Sequence, residues 1–142
     1  MIYTGTDLCS VARIENSMKN PRFMARVFSR EEIRLFESRG MNPQTVAANW
    51  AAKEAFSKAM GTGIRGFALC DIAVLRDSMG APYFKLSGRA FAAAAQRNLL
   101  FSVSLSHTDE LALAFVVAFD APAQHPHAPC PPRLDTSKDT LC

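Results

Sequence analysis

The sequence predicts an α+β fold: an antiparallel sheet packed with helices, built as a single unit. Three observations carry this. Helix caps and helix formers crowd residues 10–60. Strand-like runs separated by short turns follow them, and the turn Asp77-Ser-Met-Gly80 sits between two such runs. Helices grouped early and hairpins late argue for α+β rather than for alternating βαβ units.

The elements follow in order. Ile2 to Leu8 reads as a short strand with Asp7 near its end, and Ser10 to Met18 as a short helix. Asp7 is also a candidate N-cap for that helix. Ser29 with Glu32 three residues later spells a capping box for a second helix. Asn42-Pro43 is an N-cap followed by proline at the first helical position. From there TVAANWAAKEAFSKAM is rich in helix formers, and Gly61 stops it. Phe67 to Arg76 and Pro82 to Leu86 form a hairpin. Gly88 to Asn98 is an alanine-rich helix. Phe101 to His107 and Leu111 to Phe119 are strands around Thr108-Asp109-Glu110.

The composition excludes several classes. The chain has 142 residues, 49% of them apolar and 20% charged, as in a globular domain of ordinary size. No apolar run is long enough for a spanning helix, so no membrane role is expected. The opening MIYTGTDL lacks a basic stretch and carries Asp7, so it does not read as a signal peptide, and a cytoplasmic protein is expected. Cys9, Cys70, Cys130 and Cys142 are far apart and form no CxxC pair; they read as reduced thiols. Residues 121–142 hold five of the eight prolines and no aromatic. Such a segment buries too little apolar area to offset its ordering entropy. The expected organisation is therefore a domain over 1–120 and a Pro-rich flexible tail over 121–142. His125, His127 and Cys130 could be written as a metal cluster, but a site needs more ligands in fixed geometry.

The chemistry concentrates in WAAKEAFSKAMGTG, residues 50–63. Glu54 and Lys58 are four apart and share a helical face, bordered by Trp50 and Ser57. On spacing alone that is a surface ion pair. Gly61-Thr62-Gly63 is a helix stop, or a backbone that a ligand can approach closely. It is no P-loop, because the glycines follow the helix instead of preceding one. Asp7 paired with Glu54 would offer two carboxylates to a hard cation such as Mg²⁺, with water and phosphates completing the shell. Lys58 would then be a point charge for phosphate. Ser102, Ser104 and Ser106 line one face of a strand that ends at His107. Arg13, Lys19, Arg22 and Arg26 stand against Glu15 alone within residues 13–26, a basic surface able to steer an acidic partner. No nucleic-acid-binding motif accompanies it.

Taken in order, GTDL, ARIE, RVFS, WAAKEAFSKAMGTG, DI, GAPYF and SLSHT resemble the bacterial holo-acyl-carrier-protein synthases, the small class of 4′-phosphopantetheinyl transferases. The resemblance runs over residues 1–119. It implies transfer of 4′-phosphopantetheine from coenzyme A to a serine of an apo acyl carrier protein, releasing adenosine 3′,5′-bisphosphate. It implies Asp7 and Glu54 as catalytic Mg²⁺ ligands, with Glu54 or a metal-bound water as the base. Lys58, Gly61, Thr62, Gly63 and His107 would lie near the coenzyme A phosphates. Arg13, Arg22 and Arg26 would dock the acidic carrier protein. It further implies a homotrimer with coenzyme A between subunits. Family members often carry Arg just before the aromatic of this helix; here it is Asn49, so one phosphate contact is lost or supplied from elsewhere. The surfactin-type transferases, about twice as long and broad in carrier proteins, are the near alternative. A non-catalytic coenzyme A-binding module is another, although it would need no carboxylate pair. A basic RNA- or protein-binding domain is a third.

Overall fold

Alternate residues of the first strand decide how the molecule is assembled. In a computed structural model describing residues 1–122, β1 (Ile2–Ser10) places Tyr3, Gly5, Asp7 and Cys9 toward the long helix α4 (Pro43–Ala59). Its other face carries Ile2, Thr4, Thr6 and Leu8, all exposed. β1 pairs antiparallel with β5 (Leu111–Asp120), and β5 with β4 (Leu99–His107), giving the order β1-β5-β4. On β5, Ala112, Ala114, Val116 and Ala118 are fully buried under α4. The helix answers with Ala47, Ala48, Ala51, Ala52, Ala55 and Ala59. Small side chains on both sides let helix and sheet approach closely.

Gly5 is the extreme of that approach. A Cβ there would lie 1.9 Å from the Ala55 carbonyl oxygen and 2.7 Å from the Ala59 nitrogen. The strand runs antiparallel to the helix. Cys9 Sγ donates to the Ala47 carbonyl (3.4 Å), while the Arg97 guanidinium joins the Tyr3 ring to the Met60 carbonyl at the other end.

The remaining elements close the other side of α4. The helices α1 (Val11–Met18), α2 (Pro21–Val27) and α3 (Arg30–Ser38) follow β1. Ser10 caps α1 through the Arg13 N–H, so the capping role open to Asp7 falls to Ser10 and Asp7 stays in the strand. The capping box of Ser29 and Glu32 is present, and Asn42 caps α4 with Pro43 behind it. The helix α2 was not expected, although Asn20-Pro21 repeats the Asn42-Pro43 pattern and Asn20 does cap it.

A second sheet pairs β2 (Ile72–Arg76) with β3 (Pro82–Leu86) around the expected turn. The expected strand from Phe67 starts only at Ile72. Leu69–Asp71 is one 3₁₀ turn, fastened by the Asp71 carboxylate on the Ala68 N–H. α5 (Gly88–Gln96) ends two residues earlier than expected. Phe56 binds the layers together, with ring centroids 5.8 Å from Phe67, 5.2 Å from Phe84 and 4.5 Å from Phe101. Cys9 and Cys70 are free thiols. Among the described residues no helix is long and apolar enough to cross a membrane. Cys130, Cys142, His125, His127 and nearly all of the expected tail lie outside the described residues.

Candidate functional site

The packing of β1 on α4 brings the carboxylates together. Asp7 follows Gly5 on the same face of β1, and its side chain is mostly shielded. Lys58 donates to Asp7 Oδ1 (2.9 Å) and to the Thr6 carbonyl (2.8 Å). The expected surface pair is thus replaced: Lys58 reaches across to the strand instead of back along its own helix to Glu54. Glu54, one turn before Lys58, is partly buried. Burial pushes its carboxyl above the usual range, the negative charge of Asp7 pushes it further, and Lys58 opposes them. Two carboxylates and one ammonium therefore share a site at the seam of strand and helix.

Oxygen donors under mutual repulsion suit a hard divalent cation, which would relieve that repulsion. Among the described residues there is no group of three or more His, Cys, Asp or Glu, so the protein offers this carboxylate pair and no closed cage.

The helix ends at Ala59, one residue beyond Lys58. Gly61 donates its N–H to the Lys58 carbonyl (2.9 Å) and takes a left-handed φ of 68°; Gly63 takes 59°. Thr62 is exposed between them, its hydroxyl on the Gly63 carbonyl. No heavy atom lies within 4 Å of a Cβ added at either glycine, so the turn presents open backbone. A groove of about 840 Å³ runs beside this face, with Phe23, Trp50, Ile64 and Phe67 in its wall and Arg22 and Arg26 on it. Phe23 packs on Trp50 at 5.6 Å between centroids. Arg13 is exposed on α1.

His107 does not join this cluster within one chain. It is exposed at the end of β4, beside the turn that Gln44 holds through Thr108 and Asp109. Gln44 is in the first turn of α4 and the Gly61 turn follows its last, about 25 Å away along a helix of 17 residues. Ser57 turns into the core and bonds the Lys53 carbonyl, so it does not border the site. Asn49 is fully buried, its amide on Val74 O and Glu32, its oxygen accepting from Arg76. A side chain at 49 faces the core here, so a phosphate contact is not what that position provides.

One residue beside Glu54 in the chain was not expected to matter. Lys53 is fully buried and ion-paired with buried Glu32 at 2.7 Å. Its signal was the spacing Val46, Asn49, Lys53, Phe56, which marks the core-facing stripe of α4.

The chain matches the model of the 4′-phosphopantetheinyl transferase superfamily over residues 3–116. It is 42% identical over 114 residues to the holo-[acyl-carrier-protein] synthase of Clostridium botulinum, covering 80% of this chain and 93% of that one. Its fold is similar to the crystal structure of that synthase from Neisseria meningitidis, with a TM-score of 0.79, 35% identity and coverage of 84% and 100%. The Helicobacter pylori synthase in complex with coenzyme A gives a TM-score of 0.72, 33% identity and coverage of 84% and 100%. With the match running from β1 into β5, the chain belongs to the 4′-phosphopantetheinyl transferase superfamily.

Proposed function

We propose that this protein is a holo-acyl-carrier-protein synthase, moving 4′-phosphopantetheine from coenzyme A to a serine of an apo acyl carrier protein. The observation that carries this reading is the Asp7, Glu54 and Lys58 constellation set beside an open glycine turn. The serine oxygen forms a bond to the phosphorus that bears pantetheine. The pyrophosphate P–O bond breaks, and adenosine 3′,5′-bisphosphate leaves with the electron pair.

Asp7 and Glu54 would hold Mg²⁺, which when bound neutralises charge on the two phosphates. The serine proton needs an acceptor. We assign that role to Glu54, the carboxylate that shares the cation site. Lys58 carries the positive charge that a phosphate would share with Asp7. The Gly61-Thr62-Gly63 turn lets phosphate approach backbone N–H groups. Arg22 and Arg26 on the groove, with Arg13 on α1, suit an acidic carrier-protein helix.

His107 fits this scheme only from a neighbouring subunit, which supports a homotrimer holding coenzyme A between chains. The outer sheet face supports the same arrangement. Ile2, Leu8, Leu100, Leu111, Leu113 and Phe115 are all exposed on it. We assign catalysis to residues 1–120, since the whole constellation lies there.

The test is a mass measurement on apo carrier protein incubated with coenzyme A, Mg²⁺ and the protein. A carrier heavier by one phosphopantetheine is the expected result. Bound coenzyme A without any increment would sink the transferase reading and leave a binding module.

A further inference from the structure

The buried pair of Lys53 and Glu32 bonds to several elements at once. All three Lys53 N–H donors are used, on Glu32 Oε2 (2.7 Å), Leu69 O (2.9 Å) and Ile72 O (2.5 Å). Glu32 also accepts from Ser29 N (2.9 Å), Asn49 Nδ2 (3.1 Å) and Val74 N (3.1 Å). Asn49 Oδ1 in turn accepts from Arg76 (2.9 Å). One network thus ties α3, α4, the 3₁₀ turn and β2, with no buried polar side chain left unpartnered among the described residues.

Stability alone does not call for such a pair. Desolvating two charges is costly, and well-packed apolar residues often serve as well or better. What apolar packing lacks is direction. Six bonds of fixed geometry hold Lys53 and Asn49, and with them the rotation of α4 about its own axis. Glu54 is the next residue after Lys53, about 100° around the helix. A carboxylate roughly 6 Å from the axis moves sideways by about 1 Å for each 10° of rotation, and a misplacement of that size costs on the order of 100-fold in rate. Leu69 and Cys70, whose segment Lys53 anchors, line the groove that carries Arg22 and Arg26.

We propose that Lys53 and Glu32 form a positioning pair, which locks α4 so that Glu54 meets Asp7 beside the groove. The proposal rests on the transferase reading above, and its test separates the two. The variants are the double replacement Glu32→Leu with Lys53→Met, which removes both charges, and Glu32→Gln, which keeps the shape and loses one charge. The readouts are melting temperature, kcat, the KM values for coenzyme A and carrier protein, and the emission maximum of Trp50, the only tryptophan.

The double variant should melt below the wild type, because Leu69 O, Ile72 O and Val74 N lose a bond, while in the protein folded at the assay temperature kcat falls about tenfold or more and both KM values stay within about threefold. Glu32→Gln should lower kcat in the same direction. Wild-type kcat in a double variant that is folded at the assay temperature overturns the proposal. So does a fall in kcat accompanied by equally large rises in both KM values, because that is the behaviour of a merely structural pair. If the wild type itself transfers nothing, the transferase reading falls. The pair is then judged by Trp50: a shifted emission maximum in the folded double variant supports a change in α4, and an unchanged one overturns it.

Discussion

Glu54 sits under two fields of the same sign, burial and the charge of Asp7, and this couples activity to stability at one residue. Its carboxyl is raised in the folded chain above the ordinary 4.5, so ionising it costs folding free energy. The cost is absent below the unfolded value and complete above the folded one. Glu54→Gln should therefore raise the melting temperature at pH 7, with the gain vanishing near pH 4, while turnover drops by about 100-fold or more. Calorimetry at the two pH values with a parallel mass assay checks both halves. A lower melting temperature at pH 7 would mean that Lys58 outweighs burial. Gly5 is a second instructive residue. Gly→Ala in a strand normally stabilises by restricting the unfolded chain. Here the added methyl meets backbone at 1.9 Å, and overpacking wins, so Gly5→Ala should cost about 3 kcal/mol or more in urea unfolding. The sequence made Asp7, Glu54 and Lys58 visible as residue types at telling spacings. It left their pairing hidden, because whether Lys58 turns to Glu54 or to Asp7 depends on a strand more than fifty positions away. Gly5 was legible as a glycine near the site, but its reason is the backbone of α4, which no local pattern encodes.

Elements were readable where local chemistry closes on itself. Ser29 with Glu32 and Asn42 with Pro43 make their bonds within three residues, and both helix starts stand where those residues place them. Asn42→Ala should cost about 1 kcal/mol, seen as a lower urea midpoint at unchanged slope, because its side chain accepts from Gln44 N (2.8 Å) and Thr45 N (3.4 Å). An unchanged midpoint would mean that water replaces the cap without loss. The start of β2 was not readable for the opposite reason. Residues 67–71 look like strand, yet the Leu69 carbonyl turns to the Lys53 ammonium and Asp71 folds back on Ala68 N. A buried lysine sixteen positions earlier overrides local propensity. The same holds for Asn49, a surface residue by type that the Arg76 and Glu32 contacts draw into the core.

At the scale of the whole molecule, the proposed function gives a binding role to each of two exposed surfaces of opposite character. The first is basic and should act on rate. Charge reversal at Arg13, Arg22 and Arg26 should raise the KM for carrier protein and flatten its salt dependence, since exposed charges steer encounter over a Debye length of about 8 Å. Coenzyme A affinity by titration should hold, because Lys58 and the glycine turn are untouched. Equal losses for both substrates would show that the arginines serve the fold instead. The second surface is apolar and should act on assembly. On the outer face of the sheet Phe115 is 44% exposed, flanked across the register by Thr6 on β1 and Ser104 on β4, with Leu113 and Leu111 further along β5. Water gains nothing from such a stripe, whereas a second copy of the chain would bury it. Phe115→Glu places a charge where burial is expected, and an unpaired buried charge is not tolerated. Sedimentation should then report a single chain in place of three, and the melting temperature should lose its dependence on protein concentration. In the proposed shared site a neighbouring copy supplies His107 to the Gly61 turn, so the affinity for coenzyme A should fall with it. Wild-type protein that sediments as one chain at assay concentration while turning over normally would defeat the shared-site arrangement, and His107 would then need another role.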